Sequence, residues 1–179
     1  PDVFRMFHAM GVSLRNIYGS TETGLLTCHQ SDRFDLETVG HWMQAHPEAG
    51  APLEWRVSPD GELQIRGGSP FLGYYRREGS VESKVKDGWF YTGDAVTKTD
   101  RGELVFLERL SDLKRLRSGD TFPPQFVETR LRFSPFIKDI MTVGDEGRDF
   151  VAALINIDMA VLSRWAEDKR IGFSTFTDL

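Results

Sequence analysis

Twice in this sequence a glycine ends a turn and the chain restarts with Glu-Leu. Ser58-Pro59-Asp60-Gly61 leads into Glu62-Leu63, and Asp100-Arg101-Gly102 leads into Glu103-Leu104. Pro-Asp-Gly brings a fixed φ, a side chain that bonds back onto the backbone, and a residue free to take positive φ, which a tight reversal between strands requires. Extended runs flank both turns: "LEWRVS" and "GELQIRG" around the first, "GWFYTGDAVTKT" and "ELVFLERL" around the second. Two such hairpins predict a small antiparallel sheet or barrel.

Other segments carry a helical or strand pattern. "PDVFRMFHAMG" sets Val3, Phe4, Phe7 and Met10 at helical spacing, with Gly11 as C-cap. "VSLRNIY" reads as a strand, Asp32 to Gly50 as a long irregular loop, and "SVESKVKDG" as a short amphipathic helix ending at Gly88. After Arg109, "LSDLKRLRSGD" is charged and weakly periodic, the character of a linker or hinge. Beyond it, "PPQFVETRLRF" predicts a helix begun by proline, "KDIMTVGD" and "DFVAALINID" a pair of strands, and "MAVLSRWAEDKR" a final helix. The expected class is α+β, a distorted antiparallel β-barrel or sheet followed by a small α+β unit.

Charge and cysteine usage narrow the function. The net charge is -5 and the pI near 5.4, so there is no global basic field to gather a polyanion, and nucleic acid is not expected as a partner. The single cysteine, Cys28, cannot form an intrachain disulfide, which fits a reducing compartment such as the cytoplasm. No apolar run has the length that spans a bilayer. His8, His29, His41 and His46 lack metal-ligand spacing and read as surface or loop residues. The aromatics of "FLGYY" and "GWFY", with Leu162 and Trp165, read as core.

Three places carry chemistry. In "NIYGSTETG" the hydroxyls and amides of Gly19, Ser20 and Thr21 suit phosphate oxygens, Glu22 suits a magnesium ion, and the ring of Tyr18 suits a flat base. Taken alone, this is also ordinary turn chemistry. In "GWFYTGD", Asp94 can meet two vicinal ribose hydroxyls, as acidic residues do in other nucleotide sites, or simply close a turn. Arg109 can join Asp94 at the ribose or pair with a surface carboxylate.

The order "YGSTE", "GELQIRG", "FLGYY", "GWFYTGD", "ERLSDLKRLRSGDTFPPQFVE" resembles the motif series of the adenylate-forming superfamily, across nearly the whole chain. That superfamily holds acyl-CoA synthetases, amino-acid adenylation domains and beetle luciferases. The resemblance implies Tyr18 against adenine, Gly19, Ser20 and Thr21 at the phosphates, Glu22 on magnesium, and Asp94 and Arg109 on the ribose, with Thr21 and Glu22 catalytic. Gly24 and Leu25 would approach the acyl pocket. It implies residues 1–108 as the end of the large AMP-binding domain, 109–113 as a hinge with Ser111 and Asp112, and 114–179 as a mobile C-terminal domain, both domains incomplete. The hinge position is usually Asp or Lys in the family, and here it is Ser111.

Arg115, Ser118 and Gly119 would lie on the acceptor-thiol side. "RSGDT" is closer to the pattern of long-chain acyl-CoA synthetases, which implies a fatty acid, ATP and coenzyme A as substrates. Peripheral membrane association of the full-length protein is compatible with that. The Ser/Thr/Gly-rich phosphate loop and the late lysine of the family have no counterpart here, so these residues are expected to be inert alone. Two further readings stay open: an enzyme loading a carrier-protein thiol, and a non-catalytic nucleotide-binding module.

Overall fold

The computed structural model describes residues 2–30, 34–43, 52–67, 71, 73–77, 79, 81–173 and 175. Parts of the expected long loop (Asp32, Arg33 and residues 44–50, with His46) and Leu72 of "FLGYY" lie outside them. The chain divides into two units, Pro1–Ser111 and Asp112–Leu179. Both combine helix with antiparallel strands.

In the first unit α1 (Asp2–Ala9) stops at Gly11, which takes φ +82° and donates to the His8 carbonyl at 2.9 Å. The strand expected over "VSLRNIY" shortens to β1 (Ile17–Ser20). The backbone of Asn16 is committed to one side chain and one residue: its N–H donates to His29 Nδ1 at 3.1 Å and its carbonyl accepts from the His29 N–H at 3.1 Å. β2 (Gly24–Cys28) returns antiparallel to β1, and β3 (His41–Trp42) pairs with β2 inside the region read as loop. Two residues are too few for a periodicity to register.

The larger sheet contains β4 (Glu54–Val57), β5 (Glu62–Arg66), β6 (Val85–Lys86), β7 (Trp89–Lys98) and β8 (Leu104–Arg109), in the order β4-β5-β7-β6 with β8 also on β7. Both Gly-Glu-Leu hairpins form as the sequence predicts, with Gly61 at φ +85° and Gly102 at φ +82°. The expected helix over "SVESKVKDG" does not form. A single 3-10 turn, Glu82–Lys84, gives way to β6, which reverses into β7 through Asp87 and Gly88 at φ 52° and 77°. An Asp-Gly pair with both φ angles positive matches the right-handed twist of a two-residue hairpin, and here that turn chemistry outweighs the helical spacing.

Leu26, Leu63, Ile65, Val96 and Leu104 form the core, with Trp42 stacked on Trp55 at 5.2 Å beside them. Full burial of such a side chain contributes about 1.5–3 kcal/mol. The small sheet is stitched to the large one by backbone bonds of 2.8 Å from Val39 N–H to the Leu104 carbonyl and from Leu104 N–H to the Gly40 carbonyl. The result is a curled half-barrel. Of the aromatics read as core, Phe90 packs there, whereas the Trp89 ring is contacted by the guanidinium groups of Arg56 and Arg66, and Tyr75 is exposed.

His29, read as a surface or loop residue, is instead 3% exposed. It stacks on Phe34 at 3.9 Å, and its Nε2 donates to Thr38 Oγ1 at 2.9 Å while Nδ1 accepts from Asn16. With Nδ1 an acceptor the ring is neutral, and burial holds its pKa below the ordinary 6.5. A folded pKa below the unfolded one means the unfolded chain takes up the extra proton. This contribution to stability is therefore complete above about pH 6.5 and is lost as pH falls from there toward the depressed folded value. Denaturation midpoints should be flat above pH 7 and decline below 6.5, and His29→Gln should flatten that decline. An unchanged slope in the variant would remove His29 as its source.

In the second unit β9 (Lys114–Arg115), inside the segment read as linker, forms a short hairpin with β10 (Thr121–Phe122) just beyond it. α2 (Pro124–Leu131) begins on proline, where the missing N–H costs no bond. β11 (Ile137–Val143) and β12 (Ala152–Ile157) pair antiparallel, and α3 (Met159–Asp168) is capped by the Asp158 carboxylate, which accepts from Val161 N–H at 3.1 Å. Phe122, Ile140 and Ala166 are buried. Trp165, read as core, is 40% exposed and meets the Phe136 ring nearly at right angles, 5.8 Å between centroids.

Candidate functional site

The β1–β2 turn carries Thr21, Glu22 and Thr23 at its tip. Its geometry is fixed by Ser20 N–H donating to Thr23 Oγ1 at 3.3 Å and by the two hydroxyls of Ser20 and Thr23 at 3.0 Å. A β-bulge at Tyr18/Gly19 precedes it, and only glycine fits at 19, because a Cβ there would meet the Gly24 carbonyl oxygen at 2.2 Å. Beside the turn lies an open groove of about 600 Å³ lined by Ile17, Tyr18, Gly19, Ser20, Thr21, Gly24 and Leu25. Four of the residues singled out for nucleotide, Tyr18, Gly19, Ser20 and Thr21, thus border the same space as Gly24 and Leu25, singled out for the acyl side.

The register of β7 and β8 sets Asp94 directly opposite Arg109, with Asp94 Oδ1 2.7 Å from Arg109 Nη1. Tyr18, 76 residues away in sequence, donates its hydroxyl to Asp94 Oδ2 at 2.5 Å and stacks on Phe106 at 5.9 Å. Burial, then the hydrogen bond to Asp94 and its charge, push the Tyr18 phenol well above its ordinary 10, so it remains a donor. Asp94 is only 5% exposed, and the contact between its Oδ1 and Arg109 is not aligned as a hydrogen bond. A diol can reach this carboxylate only by displacing Tyr18 or Arg109. The Arg109 side chain is 59% exposed, so it moves without uncovering the core.

Glu22 has a partner that the sequence does not disclose. Its carboxylate accepts the hydroxyl of Tyr74, and its backbone carbonyl accepts the Phe71 N–H at 3.3 Å. The Tyr74 hydrogen bond is the main reason the Glu22 carboxyl sits below its ordinary pKa. Among the described residues no cluster of three or more His, Cys, Asp or Glu could hold a metal. A single carboxylate next to turn hydroxyls fits a cation whose remaining ligands are phosphate oxygens and water.

The remaining candidates belong to the second unit or its border. Ser111 and Asp112 lie in the 3-10 turn Leu110–Asp112, and the two units divide between them. Arg115 donates to the Gly119 carbonyl at 3.0 Å, Gly119 takes φ +93°, and Ser118 Oγ donates to Asp120 at 2.8 Å, so these three share one hairpin loop. Among the described residues no helix is long and apolar enough to cross a membrane.

No family model matches the chain. The long-chain-fatty-acid–CoA ligase FadD15 of Mycobacterium bovis is 33% identical over 162 residues, which cover 90% of this chain and 26% of that protein. The peroxisomal long chain acyl-CoA synthetase 7 of Arabidopsis thaliana is 26% identical over 185 residues, covering 97% of this chain and 26% of that one. This chain therefore spans about a quarter of the length of these relatives. Among solved structures, the O-succinylbenzoate coenzyme A synthetase of Bacillus subtilis in complex with AMP superimposes with a TM-score of 0.67 at 20% identity, covering 94% of this chain and 37% of that one. The chain's sequence relatives are long-chain fatty acyl-CoA synthetases, and it shares the fold of a solved coenzyme A synthetase.

Proposed function

We propose that the full-length protein is an ATP-dependent ligase that joins a long-chain fatty acid to coenzyme A through an acyl adenylate. The observation that carries this reading is the 33% identity to a long-chain-fatty-acid–CoA ligase across 90% of the chain. The AMP complex of the Bacillus subtilis synthetase supports the nucleotide part of it. In the first half-reaction a carboxylate oxygen of the fatty acid bonds to the α-phosphorus of ATP and the α–β phosphoanhydride breaks, releasing pyrophosphate. In the second, the sulfur of coenzyme A bonds to the acyl carbon and AMP leaves.

Under this reading Tyr18 packs against the adenine, and the amides and hydroxyls of Gly19, Ser20 and Thr21 face the phosphates. Asp94 and Arg109 hold the ribose once one of their present contacts opens. Glu22 would hold magnesium, which neutralises charge on the phosphates. Residues 1–108 form the end of the AMP-binding domain, Ser111 and Asp112 the hinge, and 114–179 a mobile domain that brings Arg115, Ser118 and Gly119 toward the thiol side. A cytoplasmic location belongs to the same reading and rests on the lone Cys28.

The test is ATP–pyrophosphate exchange by the full-length protein with a panel of fatty, aryl and amino acids. Exchange with long-chain fatty acids, followed by acyl-CoA release when coenzyme A is added, is the expected result. Exchange without acyl-CoA release would redirect the reading to a carrier-protein acceptor. AMP binding without exchange would redirect it to a non-catalytic module.

A further inference from the structure

We infer that Tyr74 is a positioning residue for the Glu22 carboxylate, an inference that rests on the metal role given to Glu22 above. Glu22 sits at the tip of a three-residue hairpin loop, where a side chain has several rotamers open to it. Two contacts from a segment about fifty residues further on restrict it. The Tyr74 hydroxyl donates to Glu22 Oε1, and the Phe71 N–H donates to the Glu22 carbonyl at 3.3 Å. The rings of Phe71 and Tyr74 meet edge to face at 4.9 Å, so the two tethers brace each other. Phe71 in turn meets Phe90 at 6.4 Å, and Phe90 packs on the barrel core. The carboxylate is thereby referenced to the sheet as well as to its own turn.

The chemistry of the pair suits this role. The phenol occupies only one acceptor position, on Oε1, and a carboxylate with about four such positions keeps capacity for a cation. Tyr74 touches no reacting atom. Its effect passes through Glu22.

Tyr74→Phe deletes one oxygen and keeps the ring contact with Phe71. Two measurements read the result, alongside thermal unfolding to verify the fold. Carboxyl-carbon NMR of the metal-free protein at neutral pH should find the Glu22 resonance displaced in the variant, because the phenol no longer donates to it. Pyrophosphate exchange by the full-length protein should need about fivefold more magnesium for half-saturation, with kcat at saturating magnesium nearly unchanged. Glu22→Gln is run beside it. If Glu22→Gln abolishes exchange while Tyr74→Phe changes neither the Glu22 resonance nor the magnesium requirement, the positioning role is overturned and the metal role stands. If Glu22→Gln exchanges like the wild type, the metal role falls and the Tyr74 inference falls with it.

Discussion

Glu22→Gln in the full-length protein is expected to lower ATP–pyrophosphate exchange by about a hundredfold or more, the scale of losing one electrostatic partner of a developing charge. The amide keeps the size and can still accept the Tyr74 hydroxyl, so the turn should hold its shape. The two Ser20–Thr23 hydrogen bonds of the turn do not involve the Glu22 side chain, and the amide can keep accepting from Ser20 as the carboxylate does. Thermal midpoint should therefore stay within a few degrees, and AMP binding should persist, because the proposed ribose and base contacts lie at Tyr18, Asp94 and Arg109. Loss of exchange together with loss of folding would assign Glu22 a structural role. Exchange at the wild-type rate would remove it from the chemistry.

Among the described glycines, Gly40→Ala should produce the largest stability loss. Gly40 has φ +88°, and a Cβ there would meet the Cys28 carbonyl carbon and oxygen at 2.1 Å, both backbone atoms of the neighbouring strand. Neither can rotate away. The Gly40 carbonyl also accepts from Leu104 N–H, one of the two bonds that stitch the small sheet to the large one. Left-handed strain and a backbone clash together cost about 4 kcal/mol, a large part of the stability of an ordinary domain. Urea denaturation measures this directly. Gly24→Ala is the comparison: φ is +67° there, but nothing lies within 4 Å of its Cβ position, so only the backbone strain remains.

Much of the architecture is legible in local signals. Gly61 and Gly102 mark their hairpins because positive φ is needed at those points and little else supplies it. Gly11 ends α1, and Pro124 begins α2 for similarly local reasons. The misreadings have local causes too. In "SVESKVKDG" a helical spacing competes with an Asp-Gly turn, and the turn prevails because β6 gains a ladder with β7. β3 is two residues long and exists only because β2 offers it an edge.

The motif order names the family and singles out Tyr18, Glu22, Asp94 and Arg109 because each has a donor, acceptor or ring suited to a nucleotide. The sequence by itself determined those residue types and the hairpin that sets Asp94 opposite Arg109, since register follows from turn and pleat. Only tertiary structure decided what each one touches. Tyr18 bonds Asp94 across 76 residues and Tyr74 bonds Glu22 across 52, and His29 is buried among Asn16, Phe34 and Thr38. A hydrogen bond between distant segments leaves no periodicity in either one. It is set by how the sheets curl around Leu26, Leu63 and Leu104, and packing of that kind is a property of the assembled core rather than of any stretch of chain.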